Sequence, residues 1–165
     1  MNELLSELQK VHPALTYSLG PCEQGKREIT ISANDMESAV PTVQKLIATA
    51  PNMPGWKISA FLPRRPLLQG VLFGKRKLEP DDIWFAAEPE GEKLSLTVYI
   101  KDLTNPVGEI EKTAAFLWLR FSLGEHDVIT KIGNVELATL PENPEASGLR
   151  PAKDLPGIVD QFHER

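Results

Sequence analysis

A single cysteine, Cys22, in 165 residues excludes an internal disulfide and fits a reducing compartment. Histidine is nearly as scarce. His12, His126 and His163 are widely separated, and no HExxH, CxxC or EF-hand spacing occurs, so neither a dedicated metal site nor a cofactor is expected. The glycines do not form GxxxxGK[ST], GxGxxG or GxSxG, which leaves no phosphate cradle and no nucleophile elbow. Positive charge is in deficit. Eighteen Lys and Arg against 23 Asp and Glu give a net charge of -5, which argues against a dedicated nucleic-acid surface. No apolar run approaches the ~18 residues of a membrane span. The first ten residues are polar and amphipathic, without the basic start and apolar run of a signal peptide, and a cytoplasmic location is expected.

What is present is an ordinary globular composition, 41% hydrophobic and 25% charged, with no repeats or low-complexity tracts. The size predicts one domain over 1–165, loop-rich from about residue 141. Residues 2–10 read as a short amphipathic helix ended by Pro13. Residues 14–20 and 28–33 alternate around the loop "GPCEQGK", the pattern of a hairpin. In "ANDMESAVPTVQKLIATAP", Asn34 is the expected N-cap, with Glu37 at capping-box spacing. Pro41 lies too deep for a regular helix begun there, so a first turn should precede a helix starting near Pro41.

"GWKISAFLP", "GVLFGKRKL", "DDIWFAAEPE" and "KLSLTVYI" read as strands, and the last alternates most cleanly. Residues 105–123 predict the longest helix, with Ile110, Ala114, Leu117 and Phe121 as its core-facing stripe. A strand is expected from about Asp127 to Leu140. "Ile-Gly-Asn-Val" reads as a bulge within it, with a two-residue hairpin turn as the alternative. A short helix closes the chain. The sum is a two-layer α+β domain: a mainly antiparallel sheet of five to seven strands with two main helices packed on one face.

The stretch most suggestive of chemistry is Glu125-His126-Asp127 in "SLGEHDVITKIG". With Gly124 as a left-handed helix cap and a strand beyond, Glu125 and Asp127 share a side and His126 faces away. That geometry does not converge on a metal, and His126 is expected to complement the dipole at the preceding helix C-terminus. Cys22 beside Glu23 lacks the electropositive setting of a nucleophile. Asp81 and Asp82 after Pro80 fit the start of a one-turn helix.

The remaining signal is aromatic. Strand register places Phe61, Trp84 and Tyr99 on the sheet's polar face with Lys57, Ser59, Ser95, Thr97 and Lys101. Large aromatics among polar groups mark recognition surfaces, unless the N-terminal helix or the Pro-rich C-terminal segment covers them.

Taken together, "GWKISAF", "DDIWF", "LSLTVYIKD", "FSLGEHDVITKIG" and "GLRPAKDLP" resemble a family of small bacterial proteins with no assigned function, from about Ile29 to Pro156. The resemblance implies an α+β fold in a bacterial cytosol and carries over no catalytic residue. The favoured expectation is a non-catalytic module binding a protein partner, a second copy of itself or a small ligand through the exposed sheet face. The alternative is an enzyme of unrecognised class where the loops bearing Arg64-Arg65 and Asp81-Asp82 meet. Nucleic-acid and membrane partners are not expected.

Overall fold

The hairpin read from residues 14–33 is present, and tighter than expected. In the computed structural model, which describes residues 3–65, 71–73, 76–103 and 106–163, β1 (Thr16–Glu23) and β2 (Lys26–Ser32) run antiparallel to a two-residue turn. Most of "GPCEQGK" is therefore strand. Gln24 and Gly25 have φ of 50° and 75°, the left-handed pair whose twist matches that of the flanking strands. Cys22 is exposed on β1, next to a register irregularity between Leu19 and Cys22.

The contacts divide the chain into two units, Met1–Pro63 and Arg64–Arg165. In the first, α1 (Glu3–Val11) precedes the hairpin, and α2 (Val40–Ala48) leads to β3 (Trp56–Ala60), which pairs parallel with β2. Pro41 occupies the first turn of α2, where its missing N–H costs nothing. A 3-10 turn over Glu37–Ala39 comes before it, as expected. The expected cap is corrected: Asn34 has φ 50° and makes no cap, and its N–H is taken by Ser32 Oγ at 3.0 Å. Leu15, Ile31, Ala33, Ala39 and Val43 are among the buried apolar residues of this unit.

The second unit opens with a hairpin of β4 (Val71–Phe73) and β5 (Arg76–Leu78). Gly70, Gly74 and Lys75 of the expected strand lie outside the described residues. A 3-10 turn over Pro80–Asp82 follows, its Glu79 and Asp82 forming a reciprocal capping box. Then come β6 (Ile83–Glu90), β7 (Lys93–Ile100), α3 (Glu109–Leu123), α4 (Glu125–Lys131), β8 (Ile132–Thr139), β9 (Arg150–Pro151) and α5 (Leu155–His163). The sheet order is β8-β7-β6-β9, with β7–β8 parallel.

The fold is thus mixed α+β. The expected single sheet of five to seven strands is replaced by sheets of three, two and four strands, and α4 joins the helices expected from sequence to make five α-helices among the described residues. The sheets are also less antiparallel than expected. Each of the two larger ones is built from a hairpin, a helical crossover and a third strand parallel to the hairpin's second strand. Hydrophobic alternation reveals one-sided burial but not strand direction.

Beneath the four-stranded sheet, Phe85, Leu94, Leu96, Val98 and Ile100 pack with Trp118, Leu119 and Leu123 of α3, Val128 of α4 and Leu155 and Val159 of α5. All three helices therefore lie on one face. The expected stripe of α3 is corrected. Ala114 is buried, but Ile110 is 62% and Leu117 39% exposed, and the buried side is Ala114, Ala115, Trp118, Leu119 and Leu123. The helix is apolar on two flanks, and its second flank faces a groove with Phe116, Leu117, Val135 and Leu137 on its walls.

Candidate functional site

On the other face of the four-stranded sheet, Trp84 and Tyr99 are directly opposed cross-strand partners on β6 and β7. Their neighbours are small or polar: Ala86 faces Thr97, Glu88 faces Ser95, and Ala138 on β8 flanks Tyr99. Both aromatics are half-buried. The Trp84 indole N–H donates to Asp81 O at 3.1 Å, which fixes the ring at the head of the strand.

The edge of β6 explains what lies beside them. β6 and β7 close on Glu90–Lys93 across a two-residue turn, and the Lys101 N–H reaches Asp82 O at 3.0 Å. Even-numbered residues of β6 therefore bond to β7, and Phe85, Ala87 and Pro89 turn their backbone groups the other way. β9 pairs only with Trp84 and Phe85. Ala87 N–H and C=O and Pro89 C=O consequently have no strand partner among the described residues. A proline without an N–H belongs at such an edge.

A cavity of about 550 Å³ runs along this unpaired stretch. Ala86, Ala87 and Pro89 form one wall, Tyr99 and the Ser147–Arg150 segment another, and Ile158 and Phe162 of α5 supply apolar surface. The Pro-rich segment thus borders Tyr99, one of the two covers considered from sequence.

Phe61 lies outside the sheet that carries this pair, a correction to the expected single aromatic face. It follows β3 in the three-stranded sheet's unit, is only 9% exposed, and adopts φ 58° with its N–H donating to Ile31 O at 2.8 Å. Period-two counting carried it one residue past the strand's end. Lys57 and Ser59 likewise belong to that other sheet, where both contact Glu28.

Glu125-His126-Asp127 is helical, not extended, and the expected strand from Asp127 begins at Ile132 instead. Gly124 joins α3 to α4 with φ 77° and ψ 157°, extended rather than left-handed helical, a combination essentially confined to glycine. Glu125 is fully buried in the first turn of α4, where a carboxylate suits the positive helix end. His126 is also in that first turn, rather than completing the end of α3 as expected. Asp127 turns outward to Arg64, Lys131 (3.1 Å) and His126 (3.5 Å). No set of three His, Cys, Asp or Glu side chains is arranged to hold a metal among the described residues.

Arg64 uses its whole guanidinium as a clamp. Its Nε–H donates to Leu123 O at 2.9 Å, capping α3, while its terminal nitrogens pair with Asp127 and with Asp160 of α5 (2.7 and 2.9 Å). Hydrogen bonding to Asp160 and Asp127 outweighs burial and raises the Arg64 pKa. Burial pushes the Asp127 carboxyl up, but the hydrogen bonds and charges of Arg64 and Lys131 together hold it below the usual range. The Arg64 hydrogen bond does the same for Asp160. Sequence reading flagged Arg64 as a site residue but had no signal for its partners, 63 and 96 residues away.

Arg64 and Arg65 do meet the turn that carries Asp81 and Asp82, but through Pro80. A cavity of about 370 Å³ is lined by Arg64, Arg65, Pro80, Trp118 and Lys153, and neither aspartate lines it. Asp82 is committed to the capping box and to Lys101 at 3.5 Å. The arginines and the aspartates therefore do not line one cavity together.

No protein-family model matches the chain, and no curated protein or solved structure shows significant similarity to it. No helix among the described residues is long and apolar enough to cross a membrane.

Proposed function

We propose that the Arg64–Arg165 unit is a non-catalytic binding module that takes an extended segment of a partner protein along the free edge of β6, against Tyr99 and Trp84. The observation carrying this reading is that β9 stops after two residues, leaving Ala87 and Pro89 to offer backbone groups to a cavity. Strand addition draws affinity from such main-chain groups and specificity from adjoining pockets, for which Leu149, Ile158 and Phe162 are placed. The Trp84–Tyr99 pair adds large, rigid contact area at low entropic cost. The proposed partner is a cytosolic protein or a second copy of the chain; a bacterial source is only what the resemblance noted from sequence implies.

The test is selection of peptides from a random library against the purified protein, followed by calorimetry on wild type, Ala87→Pro and Tyr99→Ala. Ala87→Pro deletes one outward N–H at an edge that already tolerates proline. Expected is a peptide with a Kd of about 10 μM, weakened at least about tenfold by either substitution. Failure to select any peptide, or binding indifferent to both changes, refutes the reading.

A further inference from the structure

We infer that the 370 Å³ cavity beside Arg65 is a separate binding site for a small anion with a flat apolar body, its head group a carboxylate or a phosphate monoester. The inference is independent of the β6 edge. The cavity is built by α3, the 3-10 turn at Pro80–Asp82, and the 3-10 turn at Ala152–Asp154 with the start of α5, and the two turns touch.

Charge makes the first argument. Acids outnumber bases by five in the chain, so carboxylates are on hand to pair with a cation. Arg64 finds two, and its charge is spent on Asp127 and Asp160. The side chains of Arg65 and Lys153 form no ion pair among the described residues, yet both line this cavity, and no described acid does. Unpaired cations of one sign around a concave, partly apolar space raise the local concentration of anions.

The backbone supports this placement. A helix C-terminus would normally repel an anion. Here three of the last four carbonyls of α3 are occupied: Arg120 O by Gly124 N–H (2.8 Å), Phe121 O by Arg65 N–H (2.8 Å) and Leu123 O by Arg64 Nε–H (2.9 Å). The Phe121 bond also anchors Arg65, whose planar fork suits two-point contact with a carboxylate or phosphate. Ser122 adds a hydroxyl to the lining.

The remaining surface sets the body of the ligand. Trp118 is held in the core at 3% exposure, so it offers the cavity only a small, fixed patch. Pro80, Ala152 and Pro156 complete rigid apolar walls. The volume lies at the small end of the range for small-molecule sites, which favours one or two fused rings over a nucleotide.

The experiment titrates the full chain with 1-naphthoate, 1-naphthyl phosphate and the neutral 1-naphthamide, by calorimetry and by the Trp118 indole N–H resonance, assigned with Trp118→Phe. Expected is a Kd of about 1 mM or tighter for at least one anion, with the amide at least about tenfold weaker. Whichever acid binds better identifies the head group. Arg65→Gln/Lys153→Gln should lose about tenfold or more at unchanged Tm, Arg65→Lys should retain part of the affinity, and Ala87→Pro should bind as wild type. Equal binding of acid and amide, full affinity in the double variant, or no binding of either anion overturns the proposal.

Discussion

Rotating α3 by one residue's worth of turn changes which leucine holds the second unit together, and a pair of substitutions reads that directly. Leu119 is fully buried in the cluster of Leu96, Val98 and Ile100, whereas Leu117 is 39% exposed on the outer flank. Leu119→Ala loses the transfer free energy of the deleted carbons and leaves a cavity that a sheet-backed core closes poorly, about 3 kcal/mol in total. Leu117→Ala gives up a partial burial, and the better helix propensity of alanine offsets some of it, so about 0.5 kcal/mol is expected. A difference near 2.5 kcal/mol moves the urea midpoint by roughly 1–2 M. Equilibrium urea unfolding followed by tryptophan fluorescence measures it, because Trp118 is buried on the same helix. If Leu117→Ala costs as much as Leu119→Ala, the helix presents the stripe suggested by Ile110, Ala114, Leu117 and Phe121, and the packing described above is refuted.

Two further perturbations address the junction of α3, α4 and α5. Asp127→Asn removes a carboxylate bonded to Arg64 and Lys131 and should cost about 1–2 kcal/mol at neutral pH. Because the folded-state pKa of Asp127 lies below its ordinary value of roughly 4, that stabilisation is complete above pH 4–5 and fades as acid titrates the folded carboxyl. Urea midpoints at pH 7 and pH 3 should therefore differ more for wild type than for the variant, and equal acid sensitivity contradicts the ion-pair account. Gly124→Ala forces a Cβ into φ 77°, ψ 157° and should destabilise by about 1–3 kcal/mol, with a matching loss of Tm; a neutral outcome would mean α3 and α4 are joined differently.

How much of this was legible beforehand depends on the kind of signal. β7 could be read outright, because Leu94, Leu96, Val98 and Ile100 alternate with polar residues and every one of them is buried. The Pro80 turn and the start of α2 near Pro41 followed from proline's fixed φ and missing N–H. α4 could not be read. Seven residues, EHDVITK, give barely two helical turns, and their β-branched Val128, Ile129 and Thr130 suit a strand equally well. The rotation of α3 was hidden because both flanks are apolar, and only the sheet below chooses between them. The composition likewise carries no mark of the division after Pro63.

The candidate site divides along the same line. Trp84 and Tyr99 share a face by local alternation, which the backbone enforces residue by residue, so their pairing was legible once both strands were recognised. Phe61 was assigned to that face by extending the same rule across sheets, and register is a property of one sheet only. Sequence by itself determined the element types with strong periodicity, the proline-marked boundaries and the acidic balance of charge. Tertiary structure alone decided that Arg64 spends its charge on Asp127 and Asp160 while Arg65 and Lys153 line a cavity. Such contacts join residues tens of positions apart, and their energies are set by distance and burial, which no local pattern encodes.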